Sequence, residues 1–465
     1  PACSPFCSTF RLINPQGITR QPSVYTHTTA TQQHKQTKHS TNKISPDKMS
    51  AMNRVQILTA QITSSPGLPP AQPEVFILSG KRTPIGAIGG SLVDVVAPEL
   101  GSAAIKAALE TAGVPAKDVQ ECIMGNVLSA GMGQAPARQA AMGAGLPTSV
   151  CCTTVNKVCA SGMKAVTLAA QSILTGQADT VVAGGMESMS NVPYYVTGMA
   201  RAGRGLKYGD QKMVDGVAWD GLSDPWKAQA MGVYGDLCAK ENTLSREEQD
   251  KFASSSYSRS KQAHSSGVFK KEIVPISVKG KNGSKVVEVD EEVGRGKPEM
   301  FAKLRPAFAQ DGTVTAASSS TISDGAAALV LASGDKVKAL GAKPIAKVIA
   351  FADGEQEPER FTTAPAIAIN KALAKANLKV EDIDAWEINE AFGVVVLANQ
   401  KILGMDLSKI NQFGGACSLG HPIGCSGARI VVTLCNVLEE KKGRYGVAAI
   451  CNGGGGATAI IVERC

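Results

Sequence analysis

Short apolar runs that read as strands alternate along this chain with longer stretches of helical periodicity. The run EVFILSG ends in Gly80. It is followed by PELGSAAIKAALETAGV, with Pro98 near its start and Gly113 at its end. Proline early and glycine late are start and stop signals of a helix. CIMGNVL, TVVAGG (180–185) and SDGAAALVLAS return to the apolar strand pattern. Strands that are apolar on both faces need cover on both sides. Intervening helices supply it, so the pattern predicts a layered α/β fold. The 48 glycines among 465 residues fit close backbone packing and many tight turns.

Composition divides the chain. Residues 1–73 are rich in Ser, Thr, Gln and Pro, lack periodicity, and are expected to form a disordered N-terminal extension. Met49 and Met52 within it read as candidate starts. The folded body is expected in two parts, 74–340 and 341–465. Within the first, residues 191–321 turn more polar and carry the glycine-rich breaks GRGLKYGD and VGRGKPE. They show one clear helix, LSREEQDKFASSSYSRSKQAHSSG, and read as an insertion that covers a site. From about residue 341 the first half recurs. CASGMKAV (159–166) and CSGARIVV (425–432) both open a helix with small residues, a basic residue and a β-branched run, a sign of duplication.

Charge and cysteine content narrow the function. Residues 1–73 hold seven Lys or Arg and one acid, which puts +6 of the formal +8 outside the body. No folded basic face is implied, so nucleic acid is not an expected partner. No apolar run reaches the roughly 18–20 residues of a membrane span. The twelve cysteines lack paired spacing, in a chain too long for a stapled mini-domain. They read as reduced thiols, and the absence of CxxC pairs argues against a metal site.

Four stretches carry chemistry. In VNKVCASGMKAV, Cys159 sits where an extended run stops and a helix begins. The helix places small or apolar residues at Met163, Val166, Ala170 and Ile173, a core-facing stripe. A thiol at such a start faces the positive end of the helix dipole, which favours the thiolate. Only two of the five histidines lie in the body. His264, in KQAHSSG, reads as a solvated helix end. His421, in GGACSLGHPIGCSGARIV, has glycines on both sides that leave room for a ligand. It is the one credible base for Cys159, although a structural His in a glycine-rich turn is the alternative. CNGGGGATA (451–459) ends a strand in Cys451 and follows it with four glycines, whose N–H groups can approach a developing oxyanion. In WEINEAFG, Asn389 is either the cap of the next helix or the holder of a catalytic water.

Taken together, VNKVCASGMKA, NEAF, GGACSLGHPIGCSGARI and CNGGGGATA resemble the signature blocks of the thiolases, in family order, over roughly residues 74–464. The resemblance implies a five-layered αβαβα fold of two similar halves, with the 191–321 insertion as a loop domain that binds coenzyme A. It implies that Cys159 accepts the acyl group and that His421 takes its proton. Cys451 would abstract or return the α-proton of the second acetyl-CoA. Asn389 would hold a water that forms one oxyanion hole with His421. The N–H groups of Cys159 and Gly453 would form the other. Ser320 matches a serine that contacts pantetheine, and Arg295 is assigned to the adenine end. NKVCASGMKA and CNGGGG resemble the branch that condenses two acetyl-CoA to acetoacetyl-CoA and coenzyme A. Longer-chain 3-ketoacyl-CoA members, the alternative, more often carry a QCSSG-type nucleophile block.

The family resemblance implies no further cofactor, and a homodimer or homotetramer. Ala230 stands where many members carry a His before MG. Trp226 and Cys417 stand where potassium-responsive members carry Tyr and Val, which argues against potassium activation. RVQILTAQI (54–62) resembles an N-terminal peroxisomal targeting nonapeptide, with Thr59 and Ile62 departing from the pattern. A mitochondrial presequence and a cytosolic location are the alternatives.

Overall fold

The computed structural model describes residues 73–196, 210, 212–280 and 283–465. The N-terminal segment 1–72, with the nonapeptide 54–62, lies outside the described residues. The main sheet is built from β1 (Val75–Arg82), β2 (Glu121–Gly125), β3 (Cys151–Val155), β4 (Thr180–Ser188), β5 (Ser323–Ser333), β6 (Ala346–Glu355), β7 (Ala385–Ile388), β8 (Tyr445–Asn452) and β9 (Gly456–Arg464). A short tenth strand, Gly86–Ala87, pairs with Ser323 and Asp324. The helices that matter below are α1 (Ala97–Ala112), α2 (Pro136–Gly143), α3 (Ser161–Leu174), α4 (Met231–Glu241), α5 (Arg246–Ser266), α6 (Ala364–Ala376), α7 (Gly393–Leu403) and α8 (Ile423–Lys441).

Strand order across the sheet is β7-β8-β9-β6-β1-β5-β4-β2-β3. This order contains one motif twice. In the first half β1 pairs β5 antiparallel, β5 pairs β4 antiparallel, and β4 pairs β2 parallel. The second half repeats these senses with β6, β9, β8 and β7. The counterpart of the edge strand β3 has shrunk to one parallel bridge between Trp386 and Ile410. The halves join where β1 runs antiparallel to β6. The duplication read from CASGMKAV and CSGARIVV holds: these segments start α3 and α8, which precede the equivalent strands β4 and β8.

Two-residue alternation sorts the strands between layers. On β5, Ala327, Leu329 and Leu331 point to a central cluster shared with α3 and α8. Ala326, Ala328, Val330 and Ala332 point outward to α1 and α2. On β8, Ala448 and Ile450 join the central cluster, while Val447, Ala449 and Cys451 join α6 and α7. The layers are therefore helix, sheet, helix, sheet, helix. α8 is buried at every position from Ile423 to Leu438, as a helix covered on all sides must be.

Glycine lets the two central helices touch at their starts. A Cβ on Gly162 would lie 2.8 Å from the amide N of Ala428 and 2.9 Å from the carbonyl O of Gly424. A Cβ on Gly427 would meet the backbone of Met163, and one on Gly185 would meet the carbonyl of Gly424. The ends of α3 and α8 that carry Cys159 and His421 are thus brought together across the seam between the halves.

The insertion differs from expectation in two respects. Among the described residues it holds two α-helices, α4 as well as α5. α5 announces itself through a capping box of Ser245 and Glu248 and a left-handed Gly267 at its end. α4 has no side-chain cap at Ala230 and two internal glycines, so its sequence signal is weak. Nor is His264 a solvated helix end. Its Nε2 lies 2.9 Å from Asp290, whose carboxylate also accepts from Arg82 at 2.7 Å. Arg82 on β1 pairs in addition with Glu272 at 2.6 Å, so this buried cluster anchors the insertion to the sheet.

Gly162→Ala is expected to force α3 and α8 apart at a contact made entirely of backbone. Overpacking of this kind costs about 1–3 kcal/mol. A urea unfolding series reads it as a lower midpoint at unchanged slope; a wild-type midpoint contradicts the close-approach account.

Candidate active site

Cys159 is presented by a loop tied to itself. Val158 N–H donates to Asn156 Oδ1 at 2.9 Å, and Lys157 N–H donates to Ser161 Oγ at 2.8 Å. Ser161 Oγ donates in turn to Val158 O at 2.6 Å. Cys159 follows, half-buried, and α3 begins two residues later. The stripe of Met163, Val166, Ala170 and Ile173 is fully buried, which fixes the helix and hence the thiol.

His421 is held by Ser426, one turn into α8. Nδ1 lies 2.6 Å from Ser426 Oγ, and Ser426 uses its own proton to donate to Pro422 O at 3.0 Å. Nδ1 must therefore be the N–H donor, which leaves the lone pair on Nε2. Nε2 faces Asn389 Nδ2 at 3.5 Å. Burial, with Arg429 nearby, lowers the imidazole to about 3, so the ring is neutral at physiological pH and its Nε2 keeps the lone pair. Asn389 is not a helix cap: α7 begins after Phe392 and has no side-chain cap. Its side chain is buried, and among the described residues its Oδ1 has no partner.

The thiols occupy one electrostatic environment. Burial pushes Cys159 up to about 11, opposed by the backbone N–H groups of Gly453 and of Cys159 itself. Burial, and then Cys159 beside it, raise Cys451 well above the usual thiol range. The low pKa expected from the helix start is not what the free site has. A helix terminus contributes about 0.3–1 kcal/mol, whereas taking a charge out of water costs several. The thiol is neutral until a base takes its proton.

Around Cys159 lies a small apolar cluster of Val127, Leu128, Met189, Val217 and Ile423, with Leu222 and Ile322 at its margin. It is closely packed. A Cβ on Gly221 would come within 3.1 Å of Ile423 and 3.3 Å of Leu128. Behind it, buried Glu187 accepts from the N–H groups of Val127 at 3.0 Å, Leu128 at 3.1 Å and Gly424 at 2.8 Å. Glu187, Ser426 and Arg429 were missed at the sequence level. The cue for Glu187 was an acid closing the apolar strand TVVAGGMES.

The remaining residues spread out. Ser320 borders the site through Thr321, whose carbonyl accepts from His421 N–H at 3.0 Å; its own hydroxyl donates to Ala391 O at 2.9 Å. Arg295 pairs with Glu291 on its own turn, and among the described residues no contact joins it to the thiols or to His421. Trp226 is 67% exposed, with its ring at the glycine turn beside Gly454. Among the described residues, no group of three or more His, Cys, Asp or Glu could hold a metal ion, and no helix is long and apolar enough to cross a membrane.

Residues 75–335 match the family model described as thiolase, N-terminal domain, and residues 342–464 match thiolase, C-terminal domain. The cytosolic acetyl-CoA acetyltransferase ERG10 of Gibberella zeae is 52% identical over 84% of this chain and 98% of its own length. The mitochondrial acetyl-CoA acetyltransferase A of Xenopus laevis is 53% identical over 84% of this chain and 92% of its own. Among solved structures, the Acat5 thiolase of Ascaris suum in complex with coenzyme A is 45% identical, with a TM-score of 0.80. That match covers 84% of this chain and all of the Ascaris one.

A neutral thiol near 11 has a definite pH signature. The thiolate fraction of Cys159 falls tenfold for each unit below that value. Its alkylation by iodoacetamide, followed at the Cys159 peptide by mass spectrometry, is expected to rise with unit logarithmic slope from pH 6 to about 10. A plateau below pH 8 would reveal a preformed thiolate–imidazolium pair instead.

Proposed function

Because this chain belongs to the thiolase family, we propose that it is an acetyl-CoA C-acetyltransferase. It is an acyltransferase that joins two acetyl-CoA into acetoacetyl-CoA and coenzyme A, reversibly, through an acetyl-cysteine. One observation carries this reading. Half-buried Cys159 and buried Cys451 share one environment, with the N–H groups of Gly453 and Cys159 directed at Cys159. The acetyl-CoA acetyltransferase names of the relatives and the coenzyme A bound in the Ascaris structure support the substrate class.

The steps follow from the groups. Cys159 attacks the thioester carbonyl as its proton passes to His421 Nε2. The tetrahedral oxyanion is received by the N–H groups of Cys159 and Gly453, a kind of contact worth about 10²–10³-fold in rate. Coenzyme A leaves with the proton from His421. The second acetyl-CoA then needs a base for a weakly acidic C–H. A thiol with a raised pKa is a strong one once ionised: Cys451 passes its own proton to His421 Nε2 and, as the thiolate, takes the proton of the C–H. The enolate oxygen accepts from the Nε2–H of that imidazolium and from a water held on Asn389; the enolate carbon attacks the acetyl carbonyl, and the Cys159 sulfur leaves and takes the Nε2 proton. Ser320 faces the pantetheine arm, and Arg295 is assigned to the adenine end on family resemblance alone. Coenzyme A is substrate and product, and no other cofactor is invoked. The subunit arrangement of the resemblance, a homodimer or homotetramer, is kept. The relatives' names favour cytosolic or mitochondrial placement over the peroxisomal reading of residues 54–62.

The packed cluster around Cys159 favours short acyl groups, so longer-chain 3-ketoacyl-CoA thiolysis is the lesser reading. Cys159→Ser is expected to fold normally and to lose labelling by radioactive acetyl-CoA; labelling at the normal rate refutes the nucleophile. Thiolysis is expected to fall steeply from acetoacetyl-CoA to 3-ketodecanoyl-CoA. Met189→Ala is expected to narrow that ratio by about tenfold, the scale of a few methylenes in an apolar pocket. A flat chain-length profile in the unmodified enzyme would favour the longer-chain reading.

A further inference from the structure

The nucleophile and the glycine turn belong to different halves of the molecule, yet the proposed oxyanion hole needs one N–H from each. Something must fix their separation. Lys157 reaches from the nucleophile loop across the seam to the strand pair that carries the turn. Its ammonium donates to Asn452 Oδ1 at 3.3 Å, to Ala457 O at 3.1 Å and to Thr458 Oγ1 at 3.3 Å. It also lies 3.2 Å from Asp353 and 3.1 Å from Glu355 on β6. Asn452 passes the contact on, because its Nδ2 donates to Gly453 O at 2.9 Å. The lysine side chain is 20% exposed, so its ammonium is mostly shielded, whereas the Asp353 and Glu355 carboxylates are 36% and 59% exposed.

The loop it leaves is under strain. Val158, between Lys157 and Cys159, has φ of +48°, a left-handed conformation that a β-branched residue adopts rarely. Such a backbone persists only where its surroundings over-determine it. Asn156 and Ser161 hold it from within the loop. Lys157 is the side chain of the loop that holds it from the other half. A second lysine, Lys164 on α3, reaches the same Asp353 at 2.7 Å, and Thr458 Oγ1 donates to the remaining oxygen at 2.6 Å. The acceptor of the clamp is thus itself held in place.

We propose that Lys157 is a positioning residue: through Asn452 it sets the distance between the N–H groups of Cys159 and Gly453. It touches neither substrate nor reacting atoms. This inference rests on the oxyanion hole proposed above. It predicts a defect in turnover rather than in binding, since the pantetheine-facing residues are untouched.

The test measures acetyl-CoA condensation by the unmodified enzyme, Lys157→Met, Asn452→Ala and the double variant, with thermal midpoints in parallel. Lys157→Met is expected to lower kcat about 10- to 100-fold, the scale of a displacement near 1 Å at a reacting centre. KM for acetyl-CoA is expected to stay within about twofold. The double variant is expected to be no worse than the poorer single one, since both residues act through one contact. A wild-type kcat in Lys157→Met, a rise in KM matching the loss, or additive single effects overturns the clamp. Should Lys157→Met fail to fold, Asn452→Ala decides alone, because it leaves the ion pairs to Asp353 and Glu355 in place: a lowered kcat at unchanged KM supports the clamp, and a wild-type kcat overturns it. Absence of condensation in the unmodified enzyme would instead refute the proposed function.

Discussion

Backbone contact between α3 and α8 is the constraint on which the rest of the molecule depends. Gly162 and Gly427 allow two helices, one from each half, to meet at their starts without intervening side chains. The nucleophile and its base hang from those starts. Cys159 precedes α3, His421 precedes α8, and Ser426 in the first turn of α8 orients the imidazole. Duplication explains why this works. Two copies of one motif, joined along β1 and β6, present equivalent helix ends to a shared seam. Each end then acquired a different group: a thiol in one half and a base in the other.

Burial, rather than the helix dipole, sets the protonation of the site. The same desolvation that raises both thiols lowers His421 to about 3. A resting site of neutral thiols and neutral imidazole stores no ion pair. It waits for a substrate whose developing negative charge can use the N–H groups of Cys159 and Gly453. An oxyanion hole is worth most in such a water-poor setting, because it competes with no solvent. Restricted room around Cys159, from Met189, Val217 and Ile423, serves the same end by excluding water and long chains together.

Much of this was legible in the chain. Strand runs such as SDGAAALVLAS match their strand residue for residue, because a fully buried strand has a continuous apolar signature. The four blocks stood out because glycine, cysteine and histidine were concentrated where an ordinary turn needs one glycine. What escaped notice depends on distant partners. His264 looked solvated because Asp290 and Arg82 lie far from it in sequence. Glu187 lay hidden in an apolar strand, its partners being N–H groups of other segments. Lys157 read as part of a motif, and only the fold shows it crossing to Asn452. Asn389 illustrates a local rule that failed. It precedes a helix, but the helix starts too late for it to cap, and the side chain is left for the site.

Division of labour between the two thiols is the central claim, and proton exchange at carbon tests it most directly. Cys451→Ala is incubated with acetyl-CoA in deuterated water, and both acetylation of Cys159 and deuterium entering the acetyl methyl group are followed by mass spectrometry. The account predicts that acetylation persists while exchange falls by about 10²–10⁴-fold, the usual share of a general base. Exchange at the unmodified rate, or acetylation and exchange declining together, would contradict it.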